Sequence, residues 1–226
     1  MEKPILFNTE MVKAILEGRK TVTRRAIKLP KHVEEQENGL YTLYAEGGAY
    51  IDASFETVKD YINSPCKVGD ILYVRETWTT IDNFKNYADV EMDEDIKYLY
   101  KCDDNGKEHV FIDIGVKRWK PSIQMPKTAA RIFLEVTDVR VERLQDITEE
   151  QSIKEGCSGI SCEKPHNYNS DECCGYCNNS GYIEPPQLEF LYLWNNTLNN
   201  EQLGLYGWDA NPWVWVIEFK VKEVKN

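Results

Sequence analysis

Two long stretches of alternating apolar and polar residues restrict the fold of this chain more than any other feature. They span residues 131–144 and 213–221, and a period of two is typical of β-strands with one covered face. The alternating apolar residues are Ile132, Leu134, Val136, Val139 and Val141 in the first stretch and Trp213, Trp215, Ile217 and Phe219 in the second. The change of phase at 137–138 predicts a β-bulge. The chain is therefore expected to build a sheet around these two strands.

Shorter elements lead to the prediction of an α+β fold. The predicted strands are 20–27 and 68–78, and the predicted hairpin is 97–112. Thr9 is predicted to cap a first helix, and a capping box of Thr148 and Gln151 to start a second. A third helix is predicted after Pro185, with Leu188, Leu191, Tyr192 and Leu198 on its apolar face. Many strands with a few short helices favour a small β-barrel in one domain, 1–226. The poorly periodic residues 31–67 and 79–115 are interpreted as insertions, the first with a short helix near 54–62.

The charge of the 226-residue chain is negative overall but unevenly distributed. The net charge is −11, yet residues 11–31 hold seven basic residues and one acid, and residues 116–131 hold five basic residues and no acid. An acidic protein does not suit a general nucleic-acid coat, because its long-range attraction to a polyanion is weak or repulsive. The two basic segments predict a local anion site, and solvated loops are the simpler alternative.

Cellular location follows from what the sequence lacks. No stretch is apolar enough to span a bilayer, and residues 1–7 lack the apolar core of a signal peptide. Seven cysteines, an odd number clustered late in the chain, do not fit a disulfide framework. We therefore expect a cytoplasmic protein without a membrane partner, and the oligomeric state stays open.

The cysteine-rich loop 157–184 predicts a zinc site. The expected ligands are Cys157, Cys162, Cys174 and Cys177. The CxxC pair can hold one ion from a tight turn, and the other two thiolates complete a tetrahedral site. Because four cysteines leave no open coordination position, the zinc would be structural and would staple the loop. Cys173 or His166 could replace a ligand, and reduced thiols without metal are the alternative.

The remaining motif is Gly-Arg-Lys-Thr-Val-Thr-Arg-Arg at 18–25. It resembles the hallmark of the ASCH family, Gly-x-Lys followed shortly by Arg, in a PUA-like β-barrel superfamily associated with RNA and nucleosides. The resemblance extends to 68–75, 131–141, 148–155 and 213–220, and the longer ASCH proteins of phages and prophages share phrases similar to 74–78, 119–122 and 206–213. The resemblance covers roughly half of the chain and implies a PUA-like small barrel with short flanking helices.

One bacterial branch of that family hydrolyses N4-acetylcytidine, and its motif is matched at Lys20, Thr23 and Arg25. The resemblance implies Lys20 as general base, Thr23 as nucleophile and Glu155 as proton donor. Burial beside arginines would lower the pKa of Lys20 toward a neutral amine. On a regular strand, however, Lys20 and Thr23 point to opposite faces, so they meet only if the chain turns near Thr21. The alternative is that Lys20 and Arg25 bind an anion, Thr23 packs, and Glu155 caps a helix or pairs with a base.

A wider set of residues is predicted to bind the ligand. It comprises Gly18, Arg19, Arg25, Arg75, Glu76, Trp78 and Trp119. Lys20, Arg25 and Arg75 are expected to face one cleft, because a barrel brings the ends of separate strands together. Trp78 and Trp119 lie beside cations, which suits stacking on a base, and ordinary core packing is an equal alternative.

Three functions remain possible from the sequence. The first is binding of a nucleoside, nucleotide or RNA element; the second is amide hydrolysis on N4-acylated cytidine or a related modified base. The third is a phage accessory interaction module with a vestigial cleft. A binder needs an open basic cleft, an enzyme needs a neutral lysine within reach of Thr23, and an interaction module predicts a filled cleft and an exposed apolar patch.

Overall fold

The computed structural model describes residues 1–36, 38–44, 50–59, 62–80, 98–103, 119–161 and 182–225. Its strands are Glu2–Leu6 (β1), Val22–Ala26 (β2), Val33–Glu35 (β3), Tyr41–Tyr44 (β4), Tyr50–Ala53 (β5), Ile71–Arg75 (β6), Trp78–Thr80 (β7), Tyr98–Tyr100 (β8), Ile132–Arg143 (β9), Ile160–Ser161 (β10), Tyr182–Glu184 (β11) and Trp213–Val224 (β12). Its α-helices are Thr9–Leu16 (α1), Phe55–Val58 (α2), Glu149–Lys154 (α3), Pro186–Asn196 (α4) and Asn200–Tyr206 (α5). The fold is mixed α+β, as the sequence predicted.

A five-stranded sheet forms the centre of the molecule, in the order β1-β6-β9-β12-β2. β1 runs parallel to β6, and the other neighbours are antiparallel. The long strands β9 and β12 confirm the two alternating stretches. Between them the register shifts, so that Glu218 faces Asp138 and Phe219 faces Val136, which leaves Thr137 as the extra residue of the predicted bulge.

The sheet does not close into a barrel through strand pairing among the described residues, because β1 and β2 remain its two edges. A side chain nevertheless joins these edges. Nη2 of Arg25, in β2, donates a hydrogen bond to the carbonyl of Leu6, the last residue of β1, at 2.9 Å. The edges therefore approach each other at the end of the sheet where β1 finishes.

Helices pack on the sheet through two separate clusters of buried apolar residues. The cluster under α1 contains Phe7, Val12, Ile15, Leu72, Val74, Ile132, Leu134, Val136, Ile217 and Phe219 among its buried members. The cluster under α4 contains Val22, Leu144, Ile147, Cys157, Phe190, Trp194, Val214 and Val216. Val214, Val216, Ile217 and Phe219 are all buried, so β12 contributes to the core from both faces. Simple alternation predicted one covered face for this strand, whereas both of its faces have buried residues.

The described residues of the segment 31–67 form regular secondary structure. β3, β4 and β5 form a three-stranded antiparallel sheet, which the sequence analysis missed. The predicted helix near 54–62 is present as the single turn α2. Tyr41 and Phe55 from this segment pack with Trp213 of β12, and the rings of Phe55 and Trp213 stack at 4.0 Å between centroids. The insertion is therefore an extension of the same core.

Several local predictions need correction. The N-cap of α1 is Asn8, whose side chain accepts the backbone N–H of Met11, and not Thr9. The partner of β8 is β7, while the other half of the predicted hairpin lies outside the described residues. α4 buries Phe190 and Trp194, whereas Tyr192, expected on its apolar face, is 55% exposed.

The capping box at Thr148 and Gln151 is confirmed, and it starts α3. A second box, Asn199 with Gln202, starts α5, which was not predicted. Within the ranges described above, no helix combines the length and apolarity that crossing a membrane requires.

Candidate functional site

A turn after α1 places Lys20 against the end of α3. Gly18 has a φ of +74°, which ends the helix, and the N–H groups of both Arg19 and Lys20 bond to the carbonyl of Ala14. Lys20 then forms an isolated β-bridge with Glu155, and regular strand begins only at Val22. Lys20 therefore lies outside the strand that carries Thr23, so the alternation of faces along a regular strand does not apply to this pair.

A glycine makes this close approach possible. Gly156 follows Glu155 and has a φ of +98°, and a Cβ atom there would lie 2.9 Å from Cβ of Ala14. Only glycine fits such a backbone so near α1 without displacement. The Glu155 turn can consequently sit directly on the turn that carries Lys20.

Lys20 and Glu155 form a buried ion pair. Nζ of Lys20 lies 2.6 Å from Oε2 of Glu155 and donates a second hydrogen bond to its backbone carbonyl at 2.8 Å. The side chains are 0% and 4% exposed. Burial lowers the pKa of Lys20 below its ordinary value because the charged form loses its hydration, and the nearby Glu155 opposes this effect only in part.

Arg24 binds the other oxygen of the same carboxylate and was missed as a site residue. Its Nη1 lies 3.1 Å from Oε1 of Glu155, and its Nη2 contacts Glu142 at 3.1 Å and Gln151 at 2.9 Å. The Arg24 side chain is 0% exposed. It therefore ties β2 to β9 and to both ends of α3. Its sequence signal was only its place among basic neighbours, which does not distinguish a buried arginine from a solvated one.

Thr23 and Arg25 form the next pair along β2. Thr23 is 1% exposed, and its Oγ1 accepts a hydrogen bond from Nη1 of Arg25 at 2.8 Å. The guanidinium carbon of Arg25 and Nζ of Lys20 both approach the ring of Phe7, at 5.3 and 5.8 Å from its centroid. The hydrogen bonds of Lys20 go to Glu155 rather than to Thr23. Lys20, Thr23 and Glu155 are thus gathered in one region, with Lys20 paired to the acid.

An open cleft of about 660 Å³ borders this region. Its polar end includes Thr23, Arg24, Arg25 and Glu155, and its apolar lining includes Phe7, Met11, Phe190, Leu193, Trp194 and Leu198. The lining also includes Asn8, Lys28, Thr77, Pro121, Ser122 and Thr197. An apolar pocket with a few polar groups at one end is the usual form of a small-molecule site.

Three residues predicted to bind the ligand lie elsewhere. Arg75 donates to the carbonyl of Ile123. Of Lys20, Arg25 and Arg75, which were expected to face one cleft, only Arg25 is among its lining residues. Glu76 is 1% exposed and accepts hydrogen bonds from Arg131 and Cys102. Trp78 is 5% exposed and packs in a separate apolar cluster. For Trp78, the core-packing alternative is the one observed.

Gly18, Arg19 and Trp119 have different surroundings. Gly18 serves the turn after α1. Arg19 pairs with Glu17 and donates to the carbonyl of Gly156, so it supports the Glu155 turn from outside. Trp119 is partly exposed and stands two positions before the lining residue Pro121 in the sequence. Nζ of Lys101 lies 5.3 Å from its ring centroid.

Of the predicted zinc ligands, only Cys157 belongs to the described residues. It is 2% exposed in the cluster under α4, and burial raises the pKa of its thiol to about 12. Cys162, Cys174 and Cys177, and the alternative ligands Cys173 and His166, lie outside the described residues. Within the described ranges, no three His, Cys, Asp or Glu side chains are grouped to hold a metal. The zinc site stays a prediction.

Comparison of the chain with protein-family models, with curated proteins and with solved structures finds no match to any of the three.

Proposed function

We propose that this protein binds a nucleoside or nucleotide unit in the cleft beside β2, within an ASCH-type, PUA-like domain. The observation that carries the proposal is the cleft itself, whose lining combines aromatic side chains with the polar side chains of Thr23, Arg25 and Glu155. Its volume of about 660 Å³ suits a nucleoside-sized ligand, since small-molecule sites typically measure roughly 300–1,000 Å³.

The chemistry of the lining supports a flat, partly apolar ligand with polar edges. Phe7, Phe190 and Trp194 offer apolar aromatic surface for a base. Thr23 accepts from Arg25 and retains its own hydroxyl hydrogen as a donor. Arg25 and Thr23 can therefore donate hydrogen bonds to the carbonyl or ring-nitrogen acceptors of a base and replace the water that binds these acceptors in solution.

The proposed barrel is compatible with the open strand order. Arg25 links the two sheet edges through its side chain, where a closed barrel would use backbone pairing. The same guanidinium binds Thr23 at the polar end of the cleft. Arg25 would thus both hold the two edges of the sheet together and fix the position of Thr23 in the site.

Calorimetric titration with cytidine, uridine, adenosine, guanosine and N4-acetylcytidine tests the proposal. At least one nucleoside should bind, and Thr23→Val should weaken its binding by roughly 1–3 kcal/mol, since an acceptor of the bound base loses its donor, the hydroxyl of Thr23. Lys222→Met, on the exposed end of β12 outside the cleft, is the control and should bind as the parent protein does. Absence of binding by all five nucleosides would refute the proposal.

A second candidate is hydrolysis of an N4-acylated cytosine, and the buried pair of Lys20 and Glu155 favours it. A lysine of lowered pKa can act as a base, and Thr23 lines the cleft together with Glu155, the partner of Lys20. In this reaction the oxygen of Thr23 would attack the acyl carbon, its proton would pass to the site base, and the C–N bond would break as the amine takes a proton. Water would then release the acid from threonine.

A deacylation assay separates the two candidates. If Lys20 is the base, Lys20→Arg should abolish turnover, because a guanidinium does not deprotonate at working pH. Thr23→Ala should also abolish turnover. The amide-hydrolysis candidate fails if Thr23→Ala turns over N4-acetylcytidine at the parent rate, or if the parent protein binds it and leaves it intact.

A further inference from the structure

The charged side chains that line the cleft are mostly cations. Arg24, Arg25 and Lys28 belong to the lining, and among the described residues Glu155 is its only carboxylate. This excess of positive charge lies in a protein whose net charge is −11. The cleft therefore has a local charge opposite in sign to that of the whole chain.

The carboxylate of Glu155 is already bound by two other cations. Its Oε2 accepts a hydrogen bond from Lys20 at 2.6 Å and its Oε1 from Arg24 at 3.1 Å, and its side chain is 4% exposed. Arg24 also pairs with Glu142 at 3.1 Å. Of the two anion contacts that the sequence suggested, Lys20 and Arg25, Lys20 thus has its counter-ion within the protein.

Arg25 has no such counter-ion. Its three hydrogen bonds go to uncharged oxygens: Oγ1 of Thr23 at 2.8 Å, the carbonyl of Arg24 at 3.0 Å and the carbonyl of Leu6 at 2.9 Å. Within the part of the chain that the structure describes, no carboxylate oxygen lies within 4.0 Å of its nitrogens. A guanidinium has five N–H groups, so two of them, including that of Nε, have no acceptor among these residues.

The surroundings of Arg25 make an unmatched charge unfavourable. The residue is partly buried, and burial lowers the pKa of its guanidinium below the ordinary value, an effect that Glu155 opposes only in part. The ring of Phe7, with its centroid 5.3 Å from the guanidinium carbon, is a weaker partner than a carboxylate. Because charges removed from water are usually paired in proteins, an anion in the cleft would supply the missing partner.

We propose that the cleft contains a subsite for one oxyanion, a carboxylate or a phosphate monoester, which accepts hydrogen bonds from Arg25 and from the hydroxyl of Thr23. Oγ1 of Thr23 accepts from Arg25, so its own hydrogen can bind the same anion. Lys28, exposed in the lining, adds a second positive charge. The aromatic side chains of the lining then contact the body to which the anion is attached.

The inference goes beyond the proposed function, because it specifies the charge of the ligand rather than its base. A neutral base can accept hydrogen bonds from Arg25 and Thr23, but it leaves the charge of Arg25 unmatched. In a bound nucleotide, these two residues hold the phosphate instead, and the aromatic side chains still contact the base. Hydrogen bonds between charged partners are the stronger ones, so an anion should bind roughly 10-fold or more tightly than its uncharged analogue.

Calorimetric titration of the full chain with matched pairs of ligands tests the subsite. The pairs are naphthalene-2-carboxylate with its carboxamide, 2-naphthyl phosphate with 2-naphthol, and cytidine, uridine, adenosine and guanosine each with its 5′-monophosphate. The carboxylate and phosphate arms distinguish the two sources of the oxyanion, and inorganic phosphate alone tests whether the anion binds without a body.

Two variants locate the anion. Arg25→Met should reduce the ratio of anion to neutral affinity by roughly 10-fold or more. Lys28→Met changes an exposed side chain and serves if Arg25→Met folds poorly; it should reduce the ratio by roughly 2- to 5-fold. Lys222→Met, exposed and outside the lining, is the control and should leave the ratio unchanged.

The outcomes separate the subsite from the proposed function. An anion that binds roughly 10-fold more tightly than its neutral partner, with a preference that the Arg25 or Lys28 variant reduces, supports the subsite. Equal affinity within every pair, or a preference that neither variant changes, overturns it, and nucleoside binding then stands if a nucleoside binds. If the naphthyl anions bind while neither nucleosides nor nucleotides do, the subsite stands and the proposed function fails. If no ligand binds, both are overturned.

Discussion

Replacing Arg24 by methionine should remove the hydrogen bonds and ion pairs that join β2 to β9 and α3 at the site. Methionine keeps an unbranched apolar stem against Phe190, whose ring centroid lies 5.8 Å from the guanidinium carbon, and it removes the charge and all donors. Three acceptors lose a partner in the variant, on Glu155, Glu142 and Gln151. The Arg24 side chain is 0% exposed, so water does not replace these bonds without a structural change.

The size of the expected loss of unfolding free energy depends on the hydrogen-bond donors that Glu155, Glu142 and Gln151 retain in the variant. Removing one partner of a buried ion pair typically costs about 3–5 kcal/mol of unfolding free energy, because the other charge stays buried. Here Glu155 keeps Lys20, Glu142 keeps Arg140 at 2.6 Å, and Gln151 keeps the N–H of Thr148. Each of the three side chains therefore retains one donor, although Oε1 of Glu155 and Oε2 of Glu142 lose theirs. We expect the lower end of the range, about 3 kcal/mol.

Urea unfolding measures this loss as a shift of the midpoint at an unchanged slope. The matched control is Lys154→Met on α3, where an exposed pair with Glu150 should contribute only about 0.3–0.5 kcal/mol. A loss below about 1 kcal/mol in Arg24→Met, with the slope unchanged, would refute the argument that this buried network stabilises the fold. A double-mutant cycle with Glu142→Gln should show a coupling of at least roughly 0.5 kcal/mol, since the two side chains are in contact.

Three further predictions concern catalysis, the turn and the metal. If the protein deacylates a nucleoside, the rate should rise with pH as Lys20 loses its proton and should level off below the ordinary lysine value of about 10.5, because burial lowers the pKa of this amine; a rate independent of pH through that range would contradict a lysine base. Gly156→Ala should cost about 1–3 kcal/mol in thermal or urea unfolding. It should cost more than Gly39→Ala, since both residues have positive φ and only the Cβ at 156 meets Ala14. Native mass spectrometry should find one zinc per chain that is lost in acid; metal-free protein in which all the cysteines of the loop react freely would contradict the site. The ligands expected from the sequence are Cys157, Cys162, Cys174 and Cys177.

The sequence determined the elements whose pattern is local. The alternation in β9 and β12, the bulge at Thr137 and the capping box at Thr148 each follow from side chains within a few residues, so spacing alone was sufficient. The small sheet of β3 to β5 was missed because its strands are short and show no clean period.

The motif supplied candidates for the site, and only the tertiary structure could assign their surroundings. Lys20 and Glu155 are 135 positions apart, and their contact depends on two turns and on a glycine small enough to let them meet. Arg24 and Arg75 look alike in the sequence, both basic and both in strands. The fold buries Arg24 between two carboxylates and turns Arg75 toward Ile123. Burial and ion pairing depend on which segments pack against a side chain, and those segments lie far away in the chain.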